Sequence, residues 1–262
     1  MTQHTLFTGC SYTAGSGFGL AKDEPGLWVN LLHQKVFTDT TLLNLGRGGR
    51  SNAGIFQDTV TALLSYSVKY AVIQWTSMPR YELDLGFELY PTTQSFIPNG
   101  QCQDHNLNQI NYTSGYLNSI RDRFTSLAHD YNEILNLIEY TNSIRKLAHC
   151  TKTQIFFVNG ICPWDQDFFV RKTNVLPDQY TPYTQKILFV NNREDLEIFQ
   201  LYNKMHSSFE HKGSVDQLYW LNLYSSMRSQ IVDRNSDDHH PGLESNQLYA
   251  NQFAAKIIGM IN

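Results

Sequence analysis

Leu6-Phe7-Thr8-Gly9-Cys10-Ser11-Tyr12-Thr13-Ala14-Gly15 decides how the rest of the chain is read. A short apolar run ends in glycine, small hydroxylated residues follow, and a second glycine closes the segment. This reads as a strand turning sharply, because glycine lets the backbone bend and lets another group approach closely. The pattern returns downstream. Thr41-Leu42-Leu43-Asn44-Leu45 runs into Gly46, ahead of a periodic, helix-like segment over 53–68. Tyr70-Ala71-Val72-Ile73-Gln74-Trp75 runs into Thr76-Ser77, and Ile155-Phe156-Phe157-Val158 runs into Asn159-Gly160 after a long helical candidate over 120–150. Further helices are expected over 26–35 and 243–261, and a last strand over 218–223. Strands alternating with helices imply a parallel sheet covered on both faces, with right-handed crossovers. Ser11 then falls at the carboxyl edge of the sheet, where open α/β folds bind ligands.

The remaining composition fits one such domain over residues 1–262. Of the 262 residues 41% are hydrophobic and 17% charged, and 15 Tyr, 15 Phe and 4 Trp supply apolar area for a core. General disorder is excluded on that basis. Twenty basic residues stand against 24 acidic ones, and no run of Lys or Arg gives a phosphate-tracking surface, so nucleic acid is not an expected partner. No apolar stretch approaches the ~20 residues that span a bilayer, and the first residues lack a signal-peptide pattern. A cytoplasmic protein without membrane contact is the expectation. Cys10, Cys102, Cys150 and Cys162 have no paired spacing and read as reduced thiols. A zinc site from His149, Cys150 and Cys162 is poorly supported without CxxC-like pairs. Two stretches interrupt the alternation: 82–118, rich in Asn, Gln, Tyr, Pro and Gly, and 163–186, carrying Trp164, Phe168, Phe169, Tyr180 and Tyr183. Both read as irregular insertions over one face of the sheet, since long loops in a compact domain are usually functional.

Two segments carry chemistry. Ser11 reads either as a nucleophile, as a helix N-cap, or as part of a phosphate-binding loop; the Walker lysine and a GxGxxG are both missing. Asp237-Asp238-His239-His240-Pro241-Gly242 precedes the final helix. A serine hydroxyl is a poor nucleophile until a base takes its proton, and that base needs an orienting carboxylate. Asp237 and His240 are spaced to meet on a turn, with Pro241 suited to the first turn of the helix. The same cluster also reads as a solvated helix entrance or as metal ligands.

Together, Gly-x-Ser-x-x-x-Gly near residue 10 and Asp-x-x-His-Pro near the C-terminus resemble the SGNH/GDSL hydrolase family of serine esterases. The resemblance implies a flavodoxin-like three-layer α/β/α sandwich, here with a mainly parallel five-stranded sheet. It implies Ser11 as nucleophile, His240 as general base and Asp237 as its orienter. Asn44-Leu45-Gly46-Arg47-Gly48-Gly49 resembles the family's second block, with the backbone N–H groups of Gly49 and Ser11 forming an oxyanion hole. No metal or organic cofactor is implied.

The chain departs from the family pattern twice. Cys10 stands where the family usually has Asp before its serine. The third block usually carries Gly-x-Asn-Asp, whereas this chain has Gln74-Trp75-Thr76-Ser77-Met78-Pro79-Arg80, a variant resembling a bacterial or phage branch. The candidates for a third oxyanion donor are Ser77 or Thr76, through a hydroxyl, and Asn52, through its amide; otherwise backbone donors alone serve. Asn52 reads equally as the N-cap of a helix beginning near Ala53. Cys10 has an alternative as a thiol nucleophile, though the register favours a buried packing role; His239 is the alternative base. Arg47 and Arg80 read as surface or ion-pair residues rather than as anion readers. The expected activity is hydrolysis of an ester, with a short acyl group such as O-acetyl on a small molecule or carbohydrate. The contrasting expectation is a non-catalytic binding or structural protein on the same scaffold. Nothing in the sequence indicates the oligomeric state.

Overall fold

The computed structural model describes residues 2–16, 24–76, 81–84, 93–96, 130–161, 219–221, 226–235 and 240–261. Five parallel strands form the main sheet: β1 (His4–Thr8), β2 (Thr41–Asn44), β3 (Val68–Trp75), β6 (Gln154–Asn159) and β7 (Tyr219–Trp220). Their spatial order is β2-β1-β3-β6-β7. Four are strands of four to eight residues, while β7 is a two-residue pairing of Tyr219 and Trp220 with Phe156 and Phe157, shorter than the expected 218–223. A parallel strand covered on both faces needs apolar side chains in both directions. Seven of the eight residues of the central strand β3 are buried, which is why its sequence reads as a near-continuous apolar run.

Successive residues along a strand point to opposite faces, and the core divides accordingly. Phe7, Tyr70, Val72, Phe156 and Val158 join Trp28, Leu32, Phe253 and Ile257 on one face. These last four come from α2 (Trp28–Val36) and the C-terminal helix α5 (Leu243–Ile261). Leu6, Ala71, Ile73, Ile155 and Phe157 join Ile55, Ala62, Leu137 and Ile144 on the other, from α3 (Asn52–Ser65) and α4 (Asp130–Thr151). Each fully buried Phe or Leu contributes roughly 1.5–3 kcal/mol to this arrangement. The result is the expected α/β/α sandwich. Its strand order reverses between β1 and β3, because β1 leads to β2 on one side and α3 returns the chain to β3 on the other. That reversal opens a crevice at the carboxyl ends of the two strands, the usual ligand position in such sheets.

Two expectations need correction. Residues 81–96 are not wholly irregular: β4 (Tyr81–Asp84) and β5 (Thr93–Phe96) pair antiparallel, with Tyr81 opposite Phe96 and Asp84 opposite Thr93. The strands are too short for the period-two pattern of Tyr81-Glu82-Leu83-Asp84 to stand out from the polar residues around it. Pro241 is not in the first turn of α5. It bridges Arg234 antiparallel, and the helix begins two residues later at Leu243. The expected insertion 163–186 lies outside the described residues.

Candidate active site

The loop after β1 folds at once into α1 (Ser11–Ala14), a single turn that begins on Ser11. Cys10 occupies its N-cap position without a side-chain cap hydrogen bond, and Gly15 ends it in the left-handed conformation at φ 79°. Ser11 is thus the first residue of a helix at the carboxyl edge of the sheet, 7% exposed. N–H groups in a first helical turn have no intrahelical partner, so this turn presents donors beside the Ser11 hydroxyl. Cys10 is fully buried, and its sulfur contacts the Gln74 amide, 3.4 Å from Oε1 and 3.3 Å from Nε2. That environment fits the packing role better than the thiol-nucleophile alternative.

The second-block loop packs directly on this turn. Arg47 N–H donates to Gly9 O at 3.1 Å, and Asn44 Nδ2 donates to Thr13 O at 3.0 Å. A Cβ on Gly46 would lie 2.7 Å from the Ala14 nitrogen, so only glycine permits this approach. Gly49 has φ 71°, a backbone state that L side chains rarely adopt. The Arg50 guanidinium reaches Asp58 of α3 with Nε to Oδ2 at 2.8 Å and Nη2 to Oδ1 at 2.9 Å. This bidentate pair, with Arg50 itself buried, ties the Gly49 loop to the helix. Arg47 is 58% exposed in its side chain and 3.9 Å from Asp58, at the rim of that pair.

Asn52 is not the helix cap. Ser51 caps α3, its Oγ accepting from Gly54 N–H at 3.1 Å, because a serine one residue ahead of the helix can bond the third helical N–H. Asn52 is the first residue of α3, buried, with its amide facing the end of β3. Thr76 N–H donates to Asn52 Oδ1 at 2.9 Å, and Asn52 Nδ2 donates to Thr76 O at 3.2 Å. The amide therefore clamps the second-block loop to the third, and among the described residues one Nδ2 hydrogen lies beyond that clamp. Trp75 Nε1 and Thr76 Oγ1 beside it are buried without a hydrogen-bond partner among the described residues. Ser77 and Arg80 lie outside the described residues, as do Asp237 and His239.

His240 comes to the same region from the far end of the chain. Its ring stands edge-on to Tyr12 of α1, with centroids 5.7 Å apart and planes at 68°. Asn235 N–H donates to His240 O at 3.2 Å and Gly242 N–H donates to Asp233 O at 3.1 Å, so 233–242 forms a closed loop with a paired stem. Asp233 anchors that stem. Its carboxylate accepts from the Ser245 N–H at 2.7 Å, the Ser245 hydroxyl at 2.5 Å and the Glu244 N–H at 3.0 Å. Burial pushes the Asp233 carboxyl up, but these hydrogen bonds outweigh it and hold the group below its usual range. Sequence reasoning missed this residue, because the cap stands ten residues ahead of the helix it serves and leaves no local signature. A Cβ on Gly242 would lie 2.2 Å from Asp233 Oδ2, which explains glycine at the turn into α5. Among the described residues no group of three or more His, Cys, Asp or Glu could hold a metal ion, and no helix is long and apolar enough to cross a membrane.

No protein-family model matches the chain, and no curated protein does. Solved structures similar to it include a psychrotrophic esterase from Pseudoalteromonas sp., at 14% identity and a TM-score of 0.47, over 99% of this chain and 98% of that one. A carbohydrate acetylesterase from Sinorhizobium meliloti is similar at 10% identity and a TM-score of 0.46, over 99% of this chain and 100% of that one. A lipolytic protein assigned to the G-D-S-L family from Desulfitobacterium hafniense DCB-2 is similar at 10% identity and 0.44, over 96% and 98%. At identities of 10–14% and TM-scores of 0.44–0.47, the reading of the site rests on the chain's own residues and geometry.

Proposed function

We propose that the chain is an ester hydrolase of the SGNH/GDSL type, with Ser11 as nucleophile, His240 as general base and Asp237 as the carboxylate that orients it. The observation that carries this reading is the meeting of the two ends of the chain. Ser11 opens the turn at the β1/β3 crevice, and the His240 ring stacks edge-on against Tyr12, its immediate neighbour. In the proposed reaction Ser11 Oγ attacks the ester carbonyl while His240 accepts its proton. The alcohol leaves with that proton returned, and water then releases the acyl group from Ser11 by the same route.

Negative charge develops on the carbonyl oxygen in the tetrahedral species, and donors fixed in advance lower that barrier. The backbone N–H groups of Ser11 and Gly49 are the proposed donors, with a third from the remaining Asn52 amide hydrogen or the Ser77 hydroxyl. The Asn52 choice is supported by its burial and by the clamp that fixes its amide at the end of β3. A short acyl ester, with a carbohydrate as the alcohol, is the proposed substrate; aromatic and amide residues concentrated in 82–118 and 163–186 support it. The test is turnover of a short-chain aryl ester by the full chain and by Ser11→Ala, His240→Ala and the double variant. Each single change is expected to abolish turnover, and the double change to cost no more than either, since nucleophile and base act as one unit. Full activity in Ser11→Ala would overturn the assignment.

A further inference from the structure

Gln74 is the next-to-last residue of β3, fully buried in a strand whose other buried residues are hydrophobic. A buried amide without partners is destabilising, yet every polar atom of this one is used. Oε1 accepts from the Cys10 N–H at 3.1 Å and the Thr13 hydroxyl at 2.9 Å. Nε2 donates to Trp75 O at 2.8 Å, and both ends of the amide contact Cys10 Sγ. The amide can sit only one way round, because a backbone N–H cannot accept and Cys10 N–H must meet oxygen. Two glycines clear the slot. A Cβ on Gly9 would lie 2.6 Å from Gln74 Oε1, and one on Gly160 would lie 1.8 Å from Gln74 Nε2.

These contacts bracket Ser11. Cys10 precedes it and Thr13 follows within the same turn, and both are tied to one side chain on the neighbouring strand. A four-residue helix has almost no stability of its own, and Cys10 gives it no side-chain cap. We propose that Gln74 is a positioning residue for the nucleophile, its buried amide fixing the turn that aims Ser11 and the Ser11 N–H. This rests on the reading of Ser11 as nucleophile. A nucleophile displaced by about 1 Å can lose ~100-fold in rate, so the amide acts on the chemical step and hardly on substrate capture.

Gln74→Met keeps the length of the side chain and removes the amide. Steady-state turnover of an aryl ester is expected to show kcat down at least ~30-fold with KM within about 3-fold of the parent, in line with the cost of misplacement. Thr153→Val is the structural control. It removes a buried hydrogen bond to Val68 O, 2.8 Å long, at the opposite edge of the sheet, and is expected to lower the melting temperature with kcat unchanged. If Gln74→Met does not fold, Thr13→Val removes a single bond of the network and is expected to lower kcat several-fold at constant KM. A folded Gln74→Met, or in its place Thr13→Val, with parental kcat overturns the proposal while Ser11→Ala remains inactive and the hydrolase reading stands. An equal fall in kcat in Thr153→Val also overturns it, by showing a general stability effect. A parent chain that neither turns over ester nor depends on Ser11 removes the hydrolase reading and the proposal together.

Discussion

The turn that carries Ser11 and the loop that carries His240 are built on different principles. The Ser11 turn is embedded in the sheet. The amide of Gln74 holds it from β3, Asn44 and Gly46 hold it from the β2 loop, and Gly9 and Gly160 exist to let those groups in. The His240 loop is pinned at its stem by the Arg234–Pro241 bridge and by the Asp233 carboxylate on the N-terminus of α5, and its His240 ring meets Tyr12 edge-on. One side is fixed by close packing around neutral amides, the other by a charge at a partly exposed helix end. Substitutions near Ser11 are therefore expected to combine steric and catalytic damage. Substitutions at the loop stem are expected to act through stability and through pH.

The largest effect that bears on this contrast is at Gly160. A methyl group there would lie 1.8 Å from Gln74 Nε2 and 2.7 Å from Trp75 O. Gly160→Ala is expected to cost about 1–3 kcal/mol by overpacking, read in a denaturant titration, and to lower kcat by disturbing the amide. A fully stable and active Gly160→Ala would show that the turn tolerates movement and would break the comparison. Asn52→Ala comes next. It strips partners from both the N–H and the carbonyl of buried Thr76, which is expected to cost about 1–3 kcal/mol. If Asn52 is also an oxyanion donor, kcat falls a further ~100-fold, the range for such a donor; stability loss with normal kinetics would leave it a clamp alone.

At the loop stem, Asp233→Ala is expected to cost about 1–2 kcal/mol, as for loss of an N-cap, with little change in kcat at neutral pH. The folded Asp233 carboxyl lies below its ordinary value of 3.8, so ionisation stabilises the folded state above that pH. The contribution fades as pH falls below 3.8 through the folded value. Melting curves of parent and variant are expected to differ at pH 7 and to converge in acid. The smallest effect belongs to Cys10→Ala. The Cys10 backbone N–H, which carries the bond to Gln74, is retained, so a loss of about 1 kcal/mol and near-normal turnover are expected. An inactive but folded Cys10→Ala would instead implicate the thiol.

How much of this was legible follows from the same contrast. Parallel strands buried on both faces leave continuous apolar runs, so β1, β3 and β6 stand out, and Ser11 at the end of β1 with them; β2, only partly buried at the sheet edge, shows through Leu42-Leu43 ahead of Gly46. β7 falls within the expected 218–223, but two paired residues carry no periodicity from which to read its bounds. Gln74 sits in plain view within Tyr70-Ala71-Val72-Ile73-Gln74-Trp75, but its meaning lies in Gly9, Cys10, Thr13 and Gly160, which become neighbours only when three strands align. A glutamine within an apolar strand run was the available signal. Ser51 rather than Asn52 caps α3, a one-residue difference that local propensity does not resolve, since both residue types cap well. Arg50, adjacent to Gly49, carries no local signal of its role as the strut between the Gly49 loop and Asp58, because its partner lies on the following helix.

The central claim is that Ser11 is an activated nucleophile served by His240. The most direct measurement is reaction of the native 262-residue chain with a fluorophosphonate, followed by peptide mapping by mass spectrometry. The account predicts a single phosphonylated residue, Ser11, with labelling strongly slowed in His240→Ala and nearly unchanged in Cys10→Ala. Native protein that remains unlabelled at Ser11, or that is labelled equally fast without His240, would contradict it.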